Sequence, residues 1–308
     1  MLSANCQVLT AKCRVPYRML TSPELDQLRR EKWRVNGNPV RTLDDARSFI
    51  ESAGFCLTYP SRPPLLMPTF VGAWNGSKEG LPQRRAFLDP KARDATDLMI
   101  RLLRDKSAYE ANLADENNAL LISASIFPYF YTLVGERNPK RAPQPGPRSP
   151  YSELACDTYA IIQRKGPISK AKLLQELGKG ISGPALDKAL AELWAKLRIT
   201  RVDYHEREGA SWDVLHRWAP HAVSEGVNCS VGEALSALIS KYLNCVIAAD
   251  LQEIESFFGN FVPRSKVREA VNALLGAREL SFVPVGNRSL IQVTQEQPVR
   301  QPRSIVIP

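Results

Sequence analysis

The stretch SGPALDKALAELWAKLRITRVDY (182–204) decides the fold, because an amphipathic helix in it leads directly into a strand. Its apolar residues recur at spacings of three and four, so they share one face of an α-helix; they are Leu186, Ala189, Leu190, Leu193, Trp194 and Leu197. The segment RITRVDY (198–204) predicts a strand, HEREGAS (205–211) a turn and WDVLHRW (212–218) a returning strand.

Two further helices are predicted just before this stretch. SELACDTYAIIQRK (152–165) ends at a Gly-Pro pair, and SKAKLLQELG (169–178) begins at the capping residue Ser169 and stops at Gly178. The predicted order is therefore helix, helix, helix, strand, turn and strand.

The same order returns about 81 residues later. Three helices are predicted in SVGEALSALISKYL (230–243), AADLQEIESFFG (248–259) and PRSKVREAVNALLGA (263–277), with Asp250 capping the second. A hairpin, ELSFVPVGNRSLIQV (279–293), follows and turns at Gly286-Asn287. Two copies of such a unit predict a mainly α fold with small β-hairpin wings, built from tandem winged helix-turn-helix units.

The rest of the chain is divided around these two units. Helices at 22–35 and 42–54 and a strand at 54–60 suggest a degenerate winged-helix-like unit, and the uncharged segment 117–135 is interpreted as a buried helix. The predicted domains are a disordered arm at 1–18, the degenerate unit at 19–76, a helical connector and Pro-rich linker at 77–150, winged helices at 151–222 and 223–295, and a tail at 296–308.

Composition narrows the function classes. The formal net charge of +9 favours a polyanionic partner. The six cysteines form no CxxC pair and have no zinc-type spacing with the three histidines, so we expect reduced thiols, a cytoplasmic location and no metal. No GxxxxGK[ST] or GxSxG motif occurs, and we expect no cofactor and no membrane span.

The third helix of each unit is the candidate DNA-reading helix. In the later unit its outward residues suit phosphate and base-edge contacts, and they are Arg264, Ser265, Lys266, Arg268 and Asn272, with Arg288 in the hairpin behind them. In the earlier unit the outward face is blander, with Lys188 beside Asp187. That unit either packs on another domain or reaches DNA through Arg198, Arg201 and its hairpin residue His205. A solvated helix face is the alternative for each of these charges.

The chain also resembles a known family, the AlkZ/YcaQ-type tandem winged-helix DNA glycosylases, and more closely their AlkZ-related branch. GFCLTYPSRPPLLMPTFVGAW (54–74), IFPYFYTLVG (126–135) and the run from Gln163 to Pro220 carry the resemblance. It implies three winged helices around duplex DNA and release of a modified base by water attack on the glycosidic carbon. It also implies a Gln-x-Gln or Gln-x-Asp motif at 54–59, where this chain has neither Gln nor Asp. Thr58 and Tyr59 are the positional candidates there.

Two classes of function remain open at this point. The leading hypothesis is a monomeric protein that binds double-stranded DNA in repair, whether or not it cleaves the glycosidic bond. The alternative is a non-enzymatic winged-helix transcriptional regulator or protein-docking module.

Overall fold

The computed structural model describes residues 20–83, 89–115 and 118–294, which are about half helical with small antiparallel sheets. The predicted arm at 1–18 and the predicted tail at 296–308 lie outside the described residues. None of the helices in these ranges is both long enough and apolar enough to cross a membrane.

An N-terminal unit (43–123) follows the first helix, α1 (Ser22–Lys32). Its three strands form one sheet in the order β1-β3-β2. The elements of this unit are α2 (Leu43–Ala53), β1 (Phe55–Leu57), α3 (Phe70–Asn75), α4 (Pro90–Arg104), β2 (Ala108–Asp115) and β3 (Asn118–Ser123).

A central unit (153–214) has the same order of elements. Its sheet has the order β4-β6-β5, which corresponds strand for strand to that of the N-terminal unit. After the connecting helix α5 (Phe127–Val134), the elements are α6 (Glu153–Lys165), β4 (Ile168–Ser169), α7 (Lys170–Leu177), α8 (Gly183–Trp194), β5 (Ile199–His205) and β6 (Gly209–Val214).

A C-terminal unit (231–293) repeats the plan with a two-stranded sheet. A single bridge between Ala249 and Ile291 takes the place of the short first strand. After α9 (Leu215–Trp218) and α10 (Pro220–Asn228), the elements are α11 (Val231–Val246), α12 (Leu251–Phe258), α13 (Arg264–Gly276), β7 (Leu280–Val285) and β8 (Arg288–Val293).

The turn from the third helix into the hairpin is the same in all three units. Lys106, Leu197 and Arg278 have φ angles of 60°, 51° and 62°, and each stands two residues before the strand that follows. A residue in the left-handed region ends a helix and turns the chain sharply. The three units therefore share a backbone signature as well as an order of elements, and the predicted 81-residue repeat between the second and third is confirmed.

Several sequence expectations are wrong in the N-terminal half. The sheet of the N-terminal unit runs from residue 55 to 123, so it crosses the predicted boundary at 76 and takes in much of the predicted connector. The predicted helix at 117–135 is strand β3 followed by helix α5. β3 is the central strand of its sheet and is buried over residues 119–123, and such a strand gives a continuous apolar run that periodicity does not separate from a helix.

Three smaller differences concern element ends. Helix α1 ends at Lys32, before the predicted end at 35, and Thr21 caps its start in a capping box with Glu24. The returning strand of the central unit ends at Val214, and the rest of its predicted length is α9. Residues 220–228 lie between the predicted elements and form helix α10, since Pro220 at its first turn supports a helix start.

Two main cores hold these units. One apolar core joins the N-terminal unit, α5, α9, α10 and the C-terminal unit, and at its centre Phe55 stacks on Tyr242 and Phe257 with ring centroids 6.4 and 5.3 Å away. The central unit has its own core around Tyr159 and Leu193. The N-terminal and C-terminal units thus form one packed body, and the central unit attaches to it through side-chain contacts described below.

Candidate nucleic-acid interface

The end of helix α8 packs against the N-terminal unit. The Trp194 indole Nε1 donates a hydrogen bond of 3.0 Å to the Glu110 carbonyl oxygen on β2. Arg201, on β5, forms a 2.7 Å ion pair with the Glu110 carboxylate, which is 3% exposed. The Arg201 guanidinium also lies over the rings of Trp194 and Trp212. The sequence left open whether the central unit packs on another domain or reaches DNA through Arg198, Arg201 and its hairpin. These contacts favour packing on another domain at this end of α8.

Arg198, the other basic residue that leaves α8, is buried and 3% exposed. Its guanidinium contacts the Glu136 carboxylate at 3.1 Å and donates to the carbonyl oxygen of Arg141. It also lies over the Tyr159 ring. The start of the Pro-rich segment 138–150 is therefore fastened to the central unit by Arg198. Because these groups enclose its charge, we leave Arg198 out of the candidate DNA surface, and Arg201 likewise.

Helix α13 presents an exposed polar face at the third-helix position of the C-terminal unit. Two of its cations are engaged by carboxylates: Arg268 with Glu255 of α12, and Lys266 with Glu269 one turn along the helix. The Arg268 guanidinium holds the pKa of the Glu255 carboxyl below its ordinary value. The remaining predicted residues of this face, Arg264, Ser265 and Asn272, are exposed.

Arg264 differs from its basic neighbours. Within the part of the chain that the structure describes, no carboxylate lies within 4.0 Å of its guanidinium. Arg264 is the first residue of α13, where backbone N–H groups point out of the helix and add a partial positive charge. It is therefore the cation of this face that an incoming phosphate would meet with least competition.

Arg288 lies at the turn of the C-terminal hairpin and points to helix α12. Its guanidinium is 2.5 Å from the Asp250 carboxylate and 3.4 Å from that of Glu253, the two acidic groups of the α12 capping box. The hairpin is further held by a backbone bridge between Val285 and Leu20. These contacts hold the hairpin against α12 and Leu20. Arg288 can contact DNA only if it breaks its ion pairs with both carboxylates.

The hairpin of the central unit is open by comparison. His205 is exposed and its Nε2 lies 3.5 Å from the Asp203 carboxylate. A shallow polar cleft of about 560 Å³ adjoins it, with Lys172, Arg207, Glu206 and Glu208 among its lining residues. Lys188 is exposed on α8. The neighbouring Asp187 is paired with Lys170, so its negative charge is partly neutralised.

The two positional candidates for catalysis are both buried. Thr58 is 3% exposed and its hydroxyl donates to the Ala119 carbonyl oxygen at 3.1 Å. Tyr59 is 5% exposed and its hydroxyl lies 2.8 Å from that of Thr96 on α4. Both side chains thus join β1 to neighbouring elements. In addition, hydroxyl groups hold their protons at neutral pH, so neither is suited to take a proton from water unaided.

A pocket of about 370 Å³ lies beside this locus, between the end of α1 and the loop 60–68; we call it the Trp33 pocket. Its lining is mostly apolar and consists of Trp33, Val35, Leu57, Pro60, Ser61, Pro64, Leu65, Leu66, Met67, Pro68, Thr69, Lys78 and Leu81. From the sequence, residues 19–76 are assigned to a degenerate winged-helix-like unit, and no pocket is predicted there. The two leucines and the methionine of loop 60–68, Leu65, Leu66 and Met67, were the available signal.

The sequence places α4 in the predicted helical connector and does not identify it as the third helix of the N-terminal unit. Its buried face includes Leu98, Met99 and Leu102, and Lys91, Arg93 and Arg101 are exposed. The sequence did contain a signal, because this amphipathic helix is followed by the segment SAYEANLAD, which mixes polar and apolar residues. The unit was not recognised because its third strand, β3, had been predicted to be part of a helix. α4 therefore joins α13 as a candidate DNA-facing helix.

The fold and part of the sequence resemble known proteins. No curated protein matches the sequence. The solved structure of the Streptomyces sahachiroi DNA glycosylase AlkZ is similar in fold, with a TM-score of 0.58 at 14% sequence identity over 90% of this chain and 70% of that one. The family model described as DNA glycosylase AlkZ-like matches residues 90–305. Because that match spans well over half of the sequence, the chain belongs to the AlkZ-like DNA glycosylase family.

Proposed function

We propose that this protein binds double-stranded DNA as a cytoplasmic monomer in DNA repair, and that its three units are winged helices. The proposal rests above all on the exposed face of α13, where Arg264, Ser265 and Asn272 stand at the third-helix position of a chain in a DNA glycosylase family. The order helix, strand, helix, helix, strand, strand supports the winged-helix assignment.

The chemistry of this face suits the DNA backbone first and bases second. Arg264 and the N-terminal amides of α13 provide positive charge for phosphates, and Asn272 offers an amide that can pair with an adenine edge. Lys188 and His205 of the central unit, and the exposed cations of α4, extend the proposed surface. The proposed surface also includes Lys266, Arg268 and Arg288. Each of these side chains binds a DNA phosphate only after it has broken its ion pair with a carboxylate.

The experiment is a binding measurement with a fluorescent duplex. The double variant Arg264→Ala/Asn272→Ala is compared with Lys179→Ala, which removes an exposed cation in the loop between α7 and α8. We expect the first to weaken duplex binding by about tenfold or more and the second to leave it within about twofold. Equal binding by both variants would remove α13 from the proposed surface.

Release of a damaged base is the second candidate function, and the family membership favours it. Incubation with alkylated or crosslinked duplex followed by mild alkali would reveal abasic sites as strand breaks. Strand breaks that depend on the protein would establish base excision. Duplex binding without such breaks would leave DNA recognition as the function.

The remaining alternative is a transcriptional regulator or protein-docking module. The ion pairs of Lys266, Arg268 and Arg288 favour it, because the carboxylates partly neutralise the positive charge of the C-terminal unit. This alternative predicts little salt-dependent binding to a duplex of random sequence. The binding measurement above therefore separates it from the main proposal.

A further inference from the structure

The Trp33 pocket has a composition unlike the DNA surface proposed above. Its volume of about 370 Å³ is large enough for a small organic molecule, and its lining is predominantly apolar. One wall is the Trp33 ring, whose indole Nε1 is already bonded to the Cys245 carbonyl oxygen at 3.0 Å. Trp33 thus presents an apolar surface to the pocket and keeps its polar edge inside the protein.

The polar groups that line the pocket are mostly engaged elsewhere. The Ser61 hydroxyl donates to the Pro63 carbonyl oxygen and accepts from the Leu65 amide. The Thr69 hydroxyl accepts from the Gly72 amide at the start of α3. Three lining residues, Pro60, Pro64 and Pro68, have no backbone N–H at all. A nucleobase bound here would leave most donors and acceptors of its edge unsatisfied, which is costly in an apolar site.

Charge at the mouth of the pocket comes from Lys78, the one charged residue among the described lining residues. Its ammonium lies 4.7 Å from the centre of the Trp33 ring and 3.7 Å from the Asp26 carboxylate. Asp26 has a closer partner, Arg30, at 2.7 Å. The two cations and one carboxylate leave a net positive charge there, and Lys78 can turn to a ligand without leaving Asp26 unpaired.

We propose that the Trp33 pocket binds a small apolar organic anion, with its hydrocarbon part against Trp33, Leu57 and Leu66 and its anionic group at Lys78. Apolar contact provides affinity, and the single cation selects the charge of the ligand. None of the residues of the proposed DNA surface lines this pocket, so the proposal does not rest on duplex binding.

Two fluorescent probes with the same ring system test the proposal on the full chain. Anilinonaphthalene sulfonate carries the anionic group, and phenylnaphthylamine is its neutral counterpart. We expect Lys78→Glu to weaken sulfonate binding by about tenfold or more while the neutral probe stays within about twofold. The matched control Lys179→Glu should leave both probes unchanged, because Lys179 lies in the central unit away from the pocket.

A second variant, Leu66→Trp, fills the pocket and should abolish binding of both probes. If this variant does not fold, the comparison of the two probes on Lys78→Glu still decides the matter. An equal response of both probes to Lys78→Glu would overturn the proposal, as would undiminished binding of both to folded Leu66→Trp. Displacement of the sulfonate probe by adenosine at similar concentration would also overturn it and would identify a nucleobase site.

Discussion

The Arg201 guanidinium lies 2.7 Å from the Glu110 carboxylate and contacts the rings of both Trp194 and Trp212. This ion pair joins the central unit to strand β2 of the N-terminal unit. A second ion pair, between Arg104 and Asp203 at 2.8 Å, crosses the same junction at its exposed edge. The stretch 182–204 therefore fixes how two units pack, beyond forming a helix and a strand.

The buried pair is expected to dominate the stability of this junction. Glu110→Gln or Arg201→Met alone should each lower the free energy of unfolding by about 3 kcal/mol, since each leaves a buried partner charge uncompensated. The double variant should lose much less than the sum of the two. Urea unfolding of the three variants measures this coupling. Additive single effects would show that the two side chains do not act as a pair.

Arg29 is expected to stabilise the end of helix α11. Its guanidinium donates to the carbonyl oxygens of Val246, the last residue of the helix, and of Ala248 just beyond it. Arg29→Met should therefore lower the free energy of unfolding by about 1–3 kcal/mol. Arg30→Met, one residue along, removes only an exposed pair with Asp26 and should cost less than about 1 kcal/mol. Equal losses in thermal unfolding would contradict this assignment.

The pair between Glu255 and Arg268 predicts a pH-dependent contribution to stability. Arg268 lowers the pKa of Glu255 in the folded protein below its ordinary value of 4.5. The contribution is thus complete above that value and disappears as the pH falls through the folded-state pKa. Arg268 is more than half exposed, so we expect this contribution to be small.

Urea unfolding of wild type and Glu255→Gln at neutral pH and at about pH 3 provides the measurement. The stability difference should be present at neutral pH and shrink toward zero in acid. A difference that stays constant between the two conditions would assign the effect of Glu255 to packing rather than charge.

Tyr59 is expected to act through structure. Its hydroxyl bonds that of Thr96 inside the core, so Tyr59→Phe should lower the free energy of unfolding by about 1 kcal/mol and leave duplex affinity unchanged. Any base release by the wild type should persist in this variant. Loss of base release in a folded, DNA-binding Tyr59→Phe protein would instead make the hydroxyl a catalytic group.

Local spacing in the sequence was enough to predict the central and C-terminal units. Signals within a few residues indicate the apolar face beginning at Leu186, the helix at 263–277, the caps Ser169 and Asp250 and the turn at Gly286-Asn287. The structure confirms these elements. The N-terminal unit was not predicted in full for two reasons. The segment 58–68 separates β1 from α3, and β3 pairs with a strand on each side, so its sequence has no alternation of polar and apolar residues.

The roles of individual charged residues could not be predicted in this way. Arg201 and Arg198 look like surface cations in the sequence, but their partners Glu110 and Glu136 lie 91 and 62 residues away. Such pairing depends on how units dock, and nothing in the neighbouring residues encodes it. The same holds for the Trp33 pocket, whose walls come from α1, β1 and loop 60–68 together.

The salt dependence of duplex binding tests the central claim most directly. We expect the logarithm of the association constant for a fluorescent duplex to fall linearly with the logarithm of salt concentration, because bound phosphates release counterions. Arg264→Ala should make this slope shallower by about one unit, and Lys179→Ala should leave it unchanged. Binding that is absent at low salt, or a slope that Arg264→Ala leaves unaltered, would contradict the account.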